Sequence, residues 1–252
     1  MANSVQDTFF DKTALIEHPA VRVVLTTHLS HRTGLVIPIA EITELAESHG
    51  ADVIVDAAHS WGQIPFELPD LAAPFIGLNL HKWMGAPLGC GATYVRKDQL
   101  GDIDRDLADE DYDASDIRSR VHTGTSNSAN YLAVPAALDV HEALGADAKR
   151  ARVQYLRDLW VNEVSGLDRM HILTPDDPSM YGALTAFRIE GNTTTEQSTA
   201  IASWLRDEKG ILTVRRGGVD KGEVIRVTVA PWTSPDQCEQ LASALGEAVR
   251  LF

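Results

Sequence analysis

In the first half of the chain, short unbroken apolar runs alternate with stretches whose apolar positions recur every three or four residues. Residues 4–17 carry a weak helical period that stops at Pro19, and 21–25 is an apolar run of the buried-strand kind. Pro38 opens a second helix in which Ile39, Ile42, Leu45 and Ala46 share one face, and Gly50 closes it. Residues 52–56 form an apolar strand ending in a carboxylate. Strand, helix, strand within this span predicts a βαβ unit. Apolar strands without alternation predict a parallel sheet covered on both faces. A further apolar stretch, 75–80, leads into His81 and Lys82; residues 87–91 then read as a turn and 92–95 as a strand.

The pattern changes after residue 130. Residues 131–144 and 148–164 are two helices joined at Gly145, reading as a connector between domains. Strands are expected at 171–173, 184–189, 211–214 and 224–229, with amphipathic helices at 195–208 and 235–251. The expected class is therefore α/β, with a mainly parallel sheet flanked by helices in residues 1–140 and a small α+β domain in 141–252. No repeat or low-complexity segment interrupts it.

Composition narrows the function. The chain has 252 residues, 44% of them hydrophobic, enough for a substantial core. Its apolar runs fall short of the roughly 18–20 residues a bilayer span needs, and residues 1–19 lack the form of a signal peptide. Twenty-two basic against 36 acidic residues give a net charge of −14, which argues against nucleic acid or an anionic membrane surface as partner. Cys90 and Cys238 are too few for a disulfide framework, which suits a reducing, cytoplasmic compartment. The acidic run over 101–116 lacks the glycine turn and spacing of a calcium loop and reads as solvated.

Ligands of open parallel sheets sit beyond the carboxyl ends of the strands. Three such ends carry polar residues: Thr26–Thr27–His28–Leu29–Ser30–His31, Asp56–Ala57–Ala58–His59 and Asn79–Leu80–His81–Lys82. Taken singly, each has an ordinary explanation. Asp56 could cap a helix, the histidines could sit in the core, and Lys82 could be a surface lysine. Jointly they are more specific. A lysine buried at a strand end is costly unless its amine is neutral or covalently used, as in a Schiff base. An aspartate on the neighbouring strand end suits the protonated pyridine nitrogen of pyridoxal 5′-phosphate (PLP).

Asp56-x-x-His59, then Asn79-x-His81-Lys82-Trp83 and Ala86-Pro87-x-Gly89-x-Gly91, resembles the fold-type I, class V aminotransferase group of PLP enzymes, particularly its isopenicillin N epimerase-like branch. The resemblance continues through Thr33–Gly34, Pro38, Gly124–Thr125, residues 131–138 and Arg226. It implies that Lys82 forms the Schiff base and shuttles the substrate Cα proton. It further implies that Asp56 pairs with the pyridine nitrogen and that His59 lies against the ring. His81 and Asn79 would contact the phosphate. Gly124–Thr125 would reach the phosphate of a neighbouring subunit, implying a homodimer, and Arg226 would hold the carboxylate of an amino acid substrate. The sequence departs from the family at His31, where many relatives have an asparagine near a cofactor oxygen, and at 230–233 after Arg226. Relatives also carry a long N-terminal portion with a phosphate loop and a ring-stacking residue, for which the segment before Val21 has no counterpart.

Other readings remain open. Arg226 could be a strand-edge surface residue, Thr125 could cap the helix beginning near Ser128, and Arg215–Arg216 could belong to a solvated hairpin. Cysteine desulfurase chemistry needs a nucleophilic thiol on a mobile loop, whereas Cys90 lies in a turn and Cys238 on a helix. A metal hydrolase could recruit His28, His31, Asp56, His59 and His81. The chain could also be a truncated or split, non-catalytic subunit that needs a separate N-terminal half.

Overall fold

The computed structural model describes residues 12–107, 111–121 and 124–252. The start of the helix expected at 4–17 lies outside them. Its described part is α1, Lys12–Glu17. Contacts divide the chain into two units, one of residues 1–28, 38–62 and 66–143, the other of 29–37, 63–65 and 144–252.

The first unit holds β1 (Val23–Thr27), α2 (Ile39–Ser48), β2 (Asp52–Asp56), β3 (Phe75–Asn79) and β4 (Gly91–Val95). The strands lie in that order in one sheet; β1–β2 and β2–β3 are parallel and β3–β4 is antiparallel. Helix α2 puts Ile39, Ile42, Thr43 and Ala46 into the core, consistent with its predicted face. Alternate residues Val53, Val55 and Ile76 are fully buried on one side of the sheet. The other side differs from the sequence expectation of a sheet covered on both faces. Val23 is 51% and Leu25 74% exposed, and Ile103, Ile117, Arg120 and Val121 border only part of that face. An apolar run reports that a strand is hydrophobic on both sides, but not which neighbours cover it.

The expected helix 131–144 is two pieces, α3 (Ser128–Leu132) and α4 (Val134–Leu144), separated at Ala133 just before Pro135. Pro135 has no amide hydrogen with which to continue the earlier turn. Gly145, with φ +79°, precedes α5 (Ala146–Val164).

The second unit carries an antiparallel sheet of β5 (Met170–Ile172), β6 (Leu184–Ile189), β7 (Val214–Arg216) and β8 (Val224–Thr228) in the order β5-β6-β8-β7. Its helices are α5, α6 (Thr195–Lys209) and α7 (Pro235–Leu251), the last packed on α5. Capping boxes at Thr194/Gln197 and Ser234/Gln237 satisfy the first amides of α6 and α7. Trp160 and Leu156 fill the core beside Arg157, which is 1% exposed. That buried cation is accommodated by Asp158 (2.7 Å), Thr174 (3.0 Å), Thr185 (3.3 Å) and the Tyr181 ring at 3.8 Å.

The segment 29–37 joins this unit through backbone bonds from Ala186 N–H to Thr33 O (3.0 Å) and from Val36 N–H to Met180 O (2.9 Å). Gly34 sits at φ +88° against β6, where a Cβ would overlap the Leu184 carbonyl. Gly50 also has a positive φ, +73°, but open space around it. Gly34→Ala should therefore cost about 3 kcal/mol or more of unfolding free energy, and Gly50→Ala about 1 kcal/mol. Urea unfolding of both variants checks this; equal losses would contradict the close approach.

Candidate functional site

The first unit brings together most of the residues singled out from sequence. Asp56 ends β2, and its direct partner across the ladder is Gly77 of β3. Asn79, two residues beyond Gly77, therefore lies on the same sheet face as Asp56. That face forms an open groove of about 910 Å³ lined by Leu25, Ile54, Asp56, Gly77, Asn79 and Thr93, with Ile117 and Arg120 opposite. Because Gly77 has no side chain, the surface next to the Asp56 carboxylate is left clear.

Beyond the strand ends, backbone bonds continue the parallel pairing. His28 N–H donates to Asp56 O and Ala57 N–H to Gly77 O, at 3.0 and 2.9 Å. The Asp56 side chain does not cap an α-helix. Its Oδ1 accepts from Ala58 N–H at 2.9 Å, closing an Asx turn that leads into half-buried His59. This turn runs to Gly62, whose φ of +87° and contacts with Trp83 and Met84 leave no room for a side chain. Gly62, at the end of the loop that begins at Asp56, thus packs directly on the neighbours of Lys82. Neither Gly62 nor Gly77 stood out in the sequence, since spacing alone does not reveal a close approach across strands.

Lys82 corrects one step of the sequence argument. Strand β3 ends at Asn79, and Lys82 lies in the following bend with its side chain exposed, not buried. Leu80, Met84, Ala86 and Cys90 turn inward as a buried cluster backed by Trp61 and Ala137. Bonds from Leu80 N–H to Cys90 O (3.1 Å) and from Ala86 N–H to Leu80 O (2.9 Å) hold the bend. With its flanking apolar residues buried, the bend turns Lys82 outward. Desolvation is therefore not what distinguishes this lysine. Its place in the motif is, next to the Trp83 backbone that Gly62 approaches.

His81 is half-buried between Asn79 and Cys90. Asn79 Nδ2 is 3.3 Å from its Nε2, and its Nδ1 is 3.2 Å from Cys90 O. Gly89 N–H also lies 3.4 Å from Nδ1, so this nitrogen has a partner whether it donates to the Cys90 carbonyl or accepts from Gly89. Asn79 Oδ1 remains buried with no hydrogen-bond partner among the described residues. Thr125 is exposed and does not cap α3; Asn127 does, accepting from Ala129 N–H at 3.2 Å. Gly124 precedes it, also exposed.

Arg226 and His31 belong to the second unit. Arg226 is neither on an edge strand nor on the surface, as one sequence reading allowed. It lies on β8, between β6 and β7, and is 9% exposed. Its Nη1 donates to His31 O at 2.6 Å, while its buried Nε has no partner among the described residues. Burial, reinforced by neighbouring Arg216, pushes its pKa down to about 10, so the guanidinium is cationic at neutral pH.

Among the described residues, no group of three or more histidine, cysteine, aspartate and glutamate side chains is placed to hold a metal ion. Both cysteines are free and buried, and burial raises the Cys238 thiol pKa. No described helix is long and apolar enough to cross a membrane.

Residues 7–220 match the family described as aminotransferase class-V. The chain belongs to the class-V aminotransferase family. Isopenicillin N epimerase of Amycolatopsis lactamdurans is 29% identical over 244 residues, covering 91% of this chain and 60% of the relative. The apo cysteine desulfurase of Thermococcus onnurineus NA1 superposes with a TM-score of 0.78 at 18% identity, over 99% of this chain and 66% of that one. A C-DES variant with glycine covalently linked to its PLP cofactor has a TM-score of 0.76 at 25% identity, over 96% of this chain and 66% of that one. This class-V chain therefore spans about 60% of the length of the curated epimerases it matches.

His28, at the end of β1, gives the unit a pH dependence. Burial lowers its pKa to about 4, and it stacks edge-on against Phe66 at 4.9 Å. The unfolded chain binds a proton below about pH 6.5 that the folded chain refuses until about pH 4. Stability should therefore fall as pH drops through that interval, by about 2 kcal/mol at pH 5 relative to pH 7.5. Urea unfolding should show that His28→Leu reduces this loss; an unchanged slope would contradict the assignment.

Proposed function

We propose that this chain carries the lysine-bearing part of a PLP-dependent enzyme acting at Cα of an amino acid, with an isopenicillin N epimerase-like reaction as the finer reading. The observation that carries it is the β2–β3 register. It sets Asp56 and Asn79 on one face with side-chain-free Gly77 across from Asp56, and leads through the next bend to Lys82.

The donor set fits PLP. The Asp56 carboxylate and Asn79 line one groove beside side-chain-free Gly77, Asn79 Oδ1 is buried with no partner among the described residues, and the Lys82 amine follows three residues after Asn79. In this reading Lys82 would hold the cofactor covalently and Asp56 would keep a proton on its pyridine nitrogen. His59 would lie against the ring, and His81 with Asn79 would support the phosphate. PLP supplies an electron sink for the pair of electrons left when a Cα bond breaks. Once the substrate amine replaces it on the cofactor, Lys82 Nζ would be released as an amine able to take the Cα proton. Return of that proton by Lys82 to the same face would retain configuration, and an epimerase-like outcome would need a proton delivered to the opposite face. Arg226 holds the α-carboxylate through charge-assisted hydrogen bonds. His31 contributes its backbone carbonyl to positioning Arg226.

The full reading includes a homodimer, in which Gly124–Thr125 contributes to a neighbour's phosphate site, and a cytoplasmic location suited to two free thiols. The division into a PLP-binding domain of residues 1–140 and a small domain of 141–252 belongs to the same proposal. A second reading, a chain that requires a separate N-terminal half, is favoured by the exposure of Leu25 and Ile54 in the groove beside Asp56. Desulfurase chemistry is disfavoured because both thiols are buried. Adding PLP to the purified chain should give the visible absorbance of a lysine-bound cofactor, and Lys82→Ala should remove at least about nine-tenths of it. Unchanged absorbance in the variant would refute the role of Lys82.

A further inference from the structure

The β7–β8 hairpin concentrates arginines, and most have clear occupations. Arg32 Nη1 donates to Gly218 O at 2.7 Å. Arg188 donates to the carbonyls of Asp220 (3.1 Å), Gly222 (2.5 Å) and Glu223 (3.0 Å). Arg215 pairs with Glu223. These contacts brace the turn from several sides, so the strands that enter and leave it are held in place.

Arg216 differs from the rest. It is half-buried, and its Nε is shielded from solvent with no hydrogen-bond partner among the described residues. Register places it beside Arg226. Val214 pairs with Arg226 and Arg216 with Val224 in the antiparallel β7–β8 ladder. Val214 and Arg216 share a face, so Arg216 and Arg226 are diagonal neighbours on that face, about 7–8 Å apart along the backbone and within reach of long side chains. Arg215 points to the opposite face, where it meets Glu223. Ala186, the partner of Arg226 on the β6 side, is small and leaves the cation room. Both arginines thus present a buried, unpartnered Nε on one sheet face.

Two guanidinium groups held together with shielded, unused donors are costly unless a ligand compensates them. A single carboxylate would neutralise one charge and leave the second. We propose that Arg216 and Arg226 form a paired-cation site for a ligand with two carboxylates joined by a short chain, each arginine taking one. This rests on the reading of Arg226 as the holder of the α-carboxylate and extends it to substrate class, namely an amino acid with a second carboxylate on its side chain. The electrostatic influence of Arg216 on Arg226 is consistent with their proximity.

The test is calorimetric titration of the full chain with succinate and with butyrate at fixed pH and ionic strength. Succinate should bind roughly tenfold or more tightly, the factor expected from a second charge-assisted contact. Arg216→Gln should erase that preference while leaving butyrate affinity within about twofold; Arg215→Gln should retain it. Arg226→Gln should weaken both ligands. Lack of measurable succinate binding, equal affinity for the two acids, or a preference that survives Arg216→Gln would overturn the proposal. PLP capture at Lys82 is read independently, so failure of the wider enzymatic reading is distinguishable from failure of this one.

Discussion

Parallel pairing of β1 with β2 and of β2 with β3 is the constraint on which the first unit depends. It aligns the carboxyl ends of consecutive strands, and the alignment persists past the strands through the bonds from His28 to Asp56 and from Ala57 to Gly77. A one-residue slip in β3 would turn Asn79 to the buried face and move Gly77 from its place opposite Asp56. Gly62, which closes the loop beginning at Asp56, then packs against Trp83 and Met84, so this loop and the Lys82 bend become neighbours although more than twenty residues separate Asp56 from Lys82. Packing of Leu80 and Met84 determines that Lys82 faces outward.

The second unit treats its cations in contrasting ways. Arg157 is buried and fully used, held by Asp158, two threonines and an aromatic ring. Arg188 and Arg32 close carbonyls around a turn. Arg226 has one bond to the backbone at His31 and an unpartnered Nε. A structural arginine completes its bonds within the protein, while a binding arginine keeps some in reserve. That distinction cannot be read from composition, because all are arginines near apolar residues.

Much of the architecture was nevertheless legible. Helical spacing through Ile39, Ile42 and Ala46 located α2, and the helices expected at 195–208 and 235–251 occur as α6 and α7. Legibility failed where tertiary partners decide the outcome. The apolar composition of β1 did not disclose that Leu25 is exposed, and the Tyr131 pattern did not disclose the break at Ala133. Local sequence also placed Lys82 in a buried setting because it follows an apolar strand; the strand ends three residues earlier. Arg216 was hidden for a related reason, since only strand register separates it from Arg215.

The central claim is that the carboxyl edge of the first sheet directs covalent chemistry to one lysine. The most direct measurement is borohydride reduction of the PLP-treated chain followed by peptide mass mapping of the modified residue. A single dominant modification on the peptide containing Lys82 is the predicted result. Labelling scattered over other lysines, with Lys82 no more modified than they are, would contradict the claim.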